Sequence, residues 1–217
     1  MSRFRGKPQY TPHVPEHDRI YERPECQPDL RRLREMLTEL LAGRRVLEIA
    51  CGTGYWTEHV AQVAELVLAI DVNEDLLKLA IARLRRFSNT ACLLDDAYSL
   101  NSITPETFDA GFAAFWWSHV PRQHLPAFLD AFHGKLRPGA LVIFADACHG
   151  DGKPACRTDA DGNTYFHHRS SDGTEHEDIR NYPTREEVER VLRPRSRMLT
   201  MHEFPRYWCA TYQVPSR

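Results

Sequence analysis

The chain has 217 residues, 42% of them hydrophobic, a length and composition that suit one domain with a full core. Its 28 basic and 30 acidic residues give a formal net charge of −2, so there is no excess of positive charge to follow a nucleic-acid backbone. No apolar run approaches the length of a membrane span, and the polar, proline-containing start lacks the apolar core of a secretion signal. We therefore expect neither nucleic acid nor membrane as a partner.

The six cysteines contain no Cys-x-x-Cys pair and several fall in apolar runs, so we expect reduced core thiols and a cytoplasmic protein.

No Gly/Ser linker or repeat divides the chain, and residues 1–217 are predicted to form a single domain. Residues 1–26 show no periodicity and are predicted to form a partly ordered arm. Leucines at helical spacing then follow Pro28, and Gly43 ends the predicted helix.

A short apolar strand and a glycine turn come next, in Arg45-Val-Leu-Glu-Ile-Ala-Cys-Gly-Thr-Gly-Tyr-Trp-Thr57. Gly52 and Gly54 allow a tight turn and a close approach of backbone to ligand, and a helix is predicted from Tyr55 onward. A dinucleotide-binding turn has a small residue three places after the second glycine, where this chain has Thr57. The turn therefore favours a nucleotide-type ligand without a diphosphate.

Two further apolar runs end in acidic residues, at Asp71 and at Asp95-Asp96. Continuous apolar runs are typical of parallel strands that are covered on both faces, and open α/β sheets bind ligands at the carboxyl ends of such strands. A carboxylate at Asp71 can accept hydrogen bonds from both hydroxyls of a ribose, with helix capping as the alternative role. Asn73 is predicted to cap the helix that follows.

Residues Glu48-Ile-Ala-Cys-Gly-Thr-Gly54 match the first motif of the class I S-adenosylmethionine (SAM) methyltransferases, Glu/Asp-x-Gly/Ala-x-Gly-x-Gly. The chain resembles that family, with Ala50 at a position where glycine is commoner. The resemblance implies that the two glycines line the methionine part of SAM and that Glu48 orders the turn. It also implies that an acid after the third strand binds the adenine amine; Asp95 replaces the usual glycine there, so the choice of acid stays open, with Asp96 favoured. The cofactor-binding residues predicted in this way are Glu48, Ala50, Gly52, Thr53, Gly54, Trp56, Asp71, Val72, Asp96, Ala97, Phe115 and Trp116.

The fourth apolar run, from residue 108, leads to Phe115-Trp-Trp-Ser-His119 at the expected mouth of the site. The Asn/Asp-Pro-Pro-Tyr/Phe string of methyltransferases that act on nucleobase amines is absent from the sequence. The strings Gly-Tyr-Trp-Thr and Trp-x-x-His-Val-Pro instead resemble small natural-product O-methyltransferases, including those acting on phosphonates. His119 is a candidate acid/base with an ordinary pKa near 6.5; the alternative is an orienting histidine that bonds the backbone. If Trp116 and Trp117 lie on a strand, they point in opposite directions and one faces the cofactor.

Residues 121–136 are predicted to be helical, Arg137-Pro-Gly139 to stop that helix, and residues 140–145 to form a fifth strand that ends beside the substrate at Asp146. Residues 147–183 are polar and rich in histidine and glycine, and the runs 164–168 and 176–180 predict a hairpin-like insertion. This insertion is either a substrate flap or a surface loop without ligand contacts. The spacing of its cysteines and histidines matches no structural zinc pattern, so no metal site is predicted.

Near the end of the chain, Thr184-Arg-Glu-Glu187 predicts a capped helix, and two strand-like runs separated by Pro205 predict an antiparallel pair. The fold class is therefore a doubly wound, Rossmann-like α/β domain with a seven-stranded, mostly parallel sheet and an antiparallel C-terminal strand.

The resemblance to the SAM methyltransferases implies transfer of a methyl group from SAM to an oxygen or nitrogen of a small, acidic or phosphonate-like molecule, by a monomer or homodimer. A NAD(P)-dependent oxidoreductase and a catalytically silent SAM-binding partner subunit are the alternatives. The catalytic candidates are His119 and Asp146, and the substrate candidates are Tyr21, Trp117, His119, Arg169, Arg180 and Tyr182.

Overall fold

The computed structural model describes residues 18–149, 155–169 and 175–216. For residues 168–169 and 175–176 it describes the backbone alone. Most of the predicted arm, and the turn of the predicted hairpin, lie outside the described residues. The described end of the arm forms two short 3-10 turns, Asp18–Glu22 and Pro24–Cys26.

Ten strands and five α-helices are described. The strands are β1 (Arg45–Ile49), β2 (Leu66–Asp71), β3 (Thr90–Leu94), β4 (Phe108–Ala114), β5 (Leu136–Ala147), β6 (Arg157–Thr158), β7 (Thr164–Arg169), β8 (Glu175–Ile179), β9 (Arg197–Glu203) and β10 (Tyr207–Gln213). The helices are α1 (Gln27–Leu40), α2 (Tyr55–Val60), α3 (Glu74–Leu84), α4 (Leu125–His133) and α5 (Arg185–Leu192). Further 3-10 turns span Trp117–His119, Arg122–His124 and Arg193–Arg195.

Seven strands form the main sheet in the order β3-β2-β1-β4-β5-β10-β9. The first five are mutually parallel, and β10 runs antiparallel to both of its neighbours. Alternate residues of β1 enter different buried clusters: Val46 packs with α1 on one face, and Leu47 packs with α4 on the other. Both side chains are fully buried, as expected of a central strand covered on both faces. The predicted fold class is confirmed.

One predicted boundary is wrong. Helix α4 ends at His133, and the Leu-Arg-Pro-Gly string belongs to β5, which begins at Leu136. Gly139 donates a backbone hydrogen bond to Val214 at 3.0 Å, and Leu136 pairs with Phe108 of β4 across a register shift. These long-range pairings hold the segment as strand, although the proline and glycine are typical of a turn.

The predicted insertion contains a small antiparallel sheet, β6-β7-β8, in which β7 and β8 form the expected hairpin. Its base is tied to the segment after β4, because Asn181 donates from its backbone to Ser118 at 2.7 Å and from its side chain to Val120 at 3.0 Å. Asn163 and Asn181 are buried and hydrogen-bond each other at 3.0 Å. The small sheet therefore stands on the same segment that carries His119. Within the described ranges, no helix is long and apolar enough to cross a membrane.

Candidate functional site

The turn after β1 has the left-handed backbone that its glycines favour. Gly52 has φ 56° and Gly54 has φ 77°, while Ala50 adopts φ 53° without being glycine. A Cβ on Gly54 would lie 3.1 Å from the Cβ of Ala80, so its small size is needed for packing against α3. The sequence predicts that Gly54 lets the backbone come close to a ligand. In the structure, the backbone at Gly54 comes close to helix α3.

Asp71 joins the tips of the first three strands. Its Oδ2 accepts a hydrogen bond from the Gly52 amide and its Oδ1 accepts one from the Asn73 amide, both at 2.8 Å. The carboxylate is largely buried, with Asp71 8% exposed. The amide of Asp95, directly after β3, donates to the Asp71 carbonyl at 3.1 Å. The three strand tips therefore converge at one edge of the sheet, as the sequence predicts.

Glu48 lies buried beneath this turn, beside Thr57 and Asp71. Burial raises the pKa of Glu48 to about 8, the neighbouring Thr57 hydroxyl lowers it, and the charge of Asp71 raises it further. Within the residues that the structure describes, Glu48 Oε2 and Thr57 Oγ1 have no partner with hydrogen-bond geometry. A buried polar atom without a partner beside the glycine turn fits a ligand with polar groups of its own, such as the amino acid end of SAM.

The two acids after β3 have different surroundings. Both carboxylate oxygens of Asp95 accept backbone hydrogen bonds, from Asp96 at 2.8 Å and from Ser102 at 3.1 Å. Asp96 is exposed, and its Oδ1 accepts from the Tyr98 amide at 2.9 Å, while Ala97 is buried in the core. Asp95 is thus used to shape the loop, which favours Asp96 as the ligand-binding acid of the pair.

An aromatic cluster closes the other side of the turn. Tyr21, from the arm, stacks on Tyr55 with ring centroids 3.9 Å apart and accepts a hydrogen bond from the Trp56 indole at 3.2 Å. Phe115 stacks on Trp56 at 5.9 Å. Tyr21 is only 8% exposed, so the arm packs this ring against the turn.

Sequence reasoning missed the polar clamp that holds the arm over the turn. Asp18 accepts a hydrogen bond from the Thr53 hydroxyl at 2.6 Å and forms an ion pair with Arg83 of α3. Arg83 also donates to Thr53 at 3.1 Å. These residues are distant in sequence, so no local pattern could have linked them.

The segment after β4 carries the candidate base. Strand β4 ends at Ala114 and Phe115 takes φ 60°, so Trp116 and Trp117 follow the strand and do not alternate across it. The Trp116 ring lies 6.4 Å from the half-buried His119 ring and 6.0 Å from the Tyr98 ring. The tip of β4 therefore meets the loop that follows Asp96.

Trp117 does not match its predicted substrate contact. It is 2% exposed and packs edge-on against Phe144 and Trp208, with ring centroids 5.3 and 5.6 Å away. The 3-10 turn that replaces the expected strand rotates its indole into the core.

Asp146 is the last residue but one of β5 and is fully buried. Its Oδ2 accepts from the Ser118 amide and its Oδ1 from the Ala147 amide, each at 2.7 Å. Burial raises its pKa to about 6, and the Ser118 and Ala147 hydrogen bonds and the charge of Arg180 oppose that rise. A carboxylate that is enclosed and hydrogen-bonded in this way positions the segment that carries His119. It does not fit the role of substrate base that the sequence predicts for Asp146.

The predicted flap residues are only partly placed. Tyr182 is half-buried, with its ring 5.9 Å from that of Phe166, and Arg180 hydrogen-bonds through its backbone to Thr164 at 2.9 Å. Arg169 belongs to β7, and its side chain lies outside the described residues. Val72, predicted to bind the cofactor, is 55% exposed directly after β2.

Comparisons with known proteins agree with this architecture. Residues 46–139 match the family described as "Methyltransferase domain". The ubiquinone biosynthesis O-methyltransferase of Methylococcus capsulatus is 34% identical over 107 residues, 48% of this chain and 44% of that protein. Phosphoethanolamine N-methyltransferase 1 of Triticum aestivum is 29% identical over 119 residues, 54% of this chain and 23% of that protein. This chain spans less than half the length of these curated relatives.

Among solved structures, the DhpI-SAH complex is 26% identical, with a TM-score of 0.73 over 94% of this chain and 92% of that one. The N-methyltransferase NodS of Bradyrhizobium japonicum WM9 in complex with S-adenosyl-L-homocysteine (SAH) is 19% identical with a TM-score of 0.60, covering 86% and 87%, and shows the fold alone.

Residues 46–139 thus match a methyltransferase domain, and the chain as a whole shares the fold of the DhpI-SAH complex.

Proposed function

We propose that this chain transfers the methyl group of SAM to an oxygen or nitrogen atom of a small molecule that carries an acidic, phosphonate-like or phosphate-like group. One observation carries the proposal: the edge where β1, β2 and β3 meet at Asp71 continues, through Tyr98 and Trp116, to the half-buried His119. The proposed cofactor edge therefore lies close to a titratable side chain.

The residues proposed to hold SAM are those at the strand tips. Asp71 is proposed to accept the ribose hydroxyls, because its carboxylate lies where the tips of β1 and β2 meet. Asp96 and Ala97 adjoin the adenine, and the glycine turn with Glu48 receives the amino acid end. The remaining proposed contacts are Ala50, Thr53, Trp56, Val72, Phe115 and Trp116. SAM supplies an electrophilic methyl group on a sulfonium, so the protein has mainly to hold a nucleophile in line and exclude water. The Tyr21, Trp56 and Phe115 rings suit that exclusion.

His119 is the proposed proton acceptor for a hydroxyl or ammonium nucleophile, because an imidazole can take a proton near neutral pH. Asp146 is proposed to act through it: by accepting the Ser118 amide, one residue before His119, it fixes the turn that carries the imidazole. Tyr21 is proposed to cover the substrate from the arm.

An acidic substrate group is proposed to contact Arg180 and Tyr182, with Arg169 as a further candidate. The charge of Arg180 lowers the pKa of the Asp146 carboxyl, against the larger effect of burial, which supports Arg180 as a cation near the end of β5 that an acidic group could contact. The wheat relative, whose name refers to phosphoethanolamine, supports the same substrate class. The six cysteines, unpaired in the structure, support the proposed cytoplasmic location.

The test is SAH formation from SAM with matched pairs of small alcohols and amines, with and without a phosphonate or phosphate group. We expect turnover of the acidic members, and Arg180→Gln should raise their KM about tenfold, as expected on losing one charge-assisted hydrogen bond. If the neutral analogues were turned over as fast as the acidic members, the proposal that the substrate carries an acidic group would be overturned. SAM binding without turnover of any member would favour the silent partner subunit. The comparisons give no support to the oxidoreductase alternative.

A further inference from the structure

The small sheet brings together three side chains with different metal-binding atoms. Cys156, His167 and Glu177 are exposed, and one ligand atom of each lies within 4.8 Å of the other two. His167 and Glu177 are direct partners in the β7-β8 register. Glu177 Oε1 lies 3.9 Å from the Cys156 sulfur and 3.9 Å from His167 Nε2. Three different donor atoms, from three separate stretches of chain, thus lie close together, and the Cys156 thiol also donates to the Tyr165 carbonyl at 3.0 Å.

We infer that Cys156, His167 and Glu177 bind a divalent metal ion of the zinc class. A thiolate, an imidazole and a carboxylate together suit Zn²⁺ or Co²⁺ and do not suit Mg²⁺ or Ca²⁺, which prefer oxygen ligands. Tetrahedral zinc places such atoms about 3.3–3.5 Å apart. The atoms lie up to 4.8 Å apart, so relative shifts of up to about 1.5 Å, shared between two exposed side chains, bring them to that spacing.

The surroundings of Glu177 support the same site. Its Oε2 accepts hydrogen bonds from the Arg157 guanidinium, with contacts of 2.9 Å from two nitrogens, which leaves Oε1 directed at Cys156 and His167. An outer partner that fixes a metal-binding carboxylate is a usual feature of metal sites. With three protein ligands, the ion keeps a fourth position for water or an oxygen of a small molecule. None of the three residues belongs to the proposed SAM site.

The test is titration of the full chain with Co²⁺, followed by absorption in the near-ultraviolet and the visible. Thiolate ligation gives a charge-transfer band that histidine or carboxylate ligation does not. We expect one ion per chain with a thiolate band, abolished by Cys156→Ser. His167→Ala and Glu177→Gln should each weaken binding about 10- to 100-fold, and Zn²⁺ should displace the Co²⁺.

Two matched variants serve as controls. Cys148→Ser removes a half-buried thiol elsewhere, and Asp178→Asn removes the carboxylate next to Glu177; both should keep the band and the affinity. A wild-type titration without a thiolate band, or a band that survives Cys156→Ser, would overturn the inference. Because the readout is metal absorption, it is independent of methyl transfer.

Discussion

Replacing Asp71 by asparagine perturbs the residue on which the proposed cofactor site is centred. The carboxylate accepts two backbone hydrogen bonds of 2.8 Å in a buried setting. Asparagine keeps one acceptor and turns the other oxygen into a donor, which faces an amide hydrogen. Hydrogen bonds to charged groups contribute about 1.5–3 kcal/mol each, so losing one ribose bond should weaken SAM binding roughly 10- to 150-fold.

Calorimetry with SAM and SAH measures this change, and urea unfolding shows whether the variant remains folded. The free energy of unfolding should fall by about 1–3 kcal/mol, since one of the two amides loses its acceptor. Asp75→Asn is the matched control, because it removes the same charge from an exposed side chain whose bond is to Lys78. If folded Asp71→Asn protein bound SAM within about threefold of the wild type, where the lost bonds require at least tenfold, the ribose role would be refuted.

Three further predictions concern the same edge of the sheet. Ala50→Gly should raise the free energy of unfolding by about 0.5–1 kcal/mol, because φ 53° strains alanine by about 1–2 kcal/mol and glycine's chain entropy offsets part of the relief; a lower urea midpoint would contradict this. Since burial raises the pKa of Glu48 from 4.5 to about 8, stability should fall as pH rises through that interval, by up to about 1.4 kcal/mol per pH unit. Glu48→Gln should flatten that slope in pH-dependent urea unfolding, and an unchanged slope would contradict the assigned burial effect. His119→Ala should lower kcat about 10²- to 10⁴-fold while the Kd for SAM stays the same, as followed by SAH release and calorimetry; unchanged turnover would leave only an orienting role.

The main sheet could be predicted because its signals are local. The central strands are short, mainly apolar runs, and those that end at Asp71 and Asp95-Asp96 mark the tips that the structure brings together. The Asn73 cap and the Thr184 capping box also formed as expected, since both depend on residues within one turn.

What the sequence did not show depends on distant contacts. Trp117 carries the same local signal as Trp116, and only packing against Phe144 and Trp208 decides that its indole is buried. Residues 136–139 include a proline and a glycine, which are typical of a turn, but pairing with β4 holds them in β5. The meeting of Cys156, His167 and Glu177 requires the strand register of the small sheet, which local pattern does not fix.

The most direct check on the central claim is the heat of mixing the wild-type chain with SAM and, separately, with NAD. We expect one SAM to bind per chain with a micromolar dissociation constant and NAD to give no measurable heat. Micromolar binding of NAD in the absence of SAM binding would contradict the assignment of this strand edge to an adenosyl sulfonium cofactor.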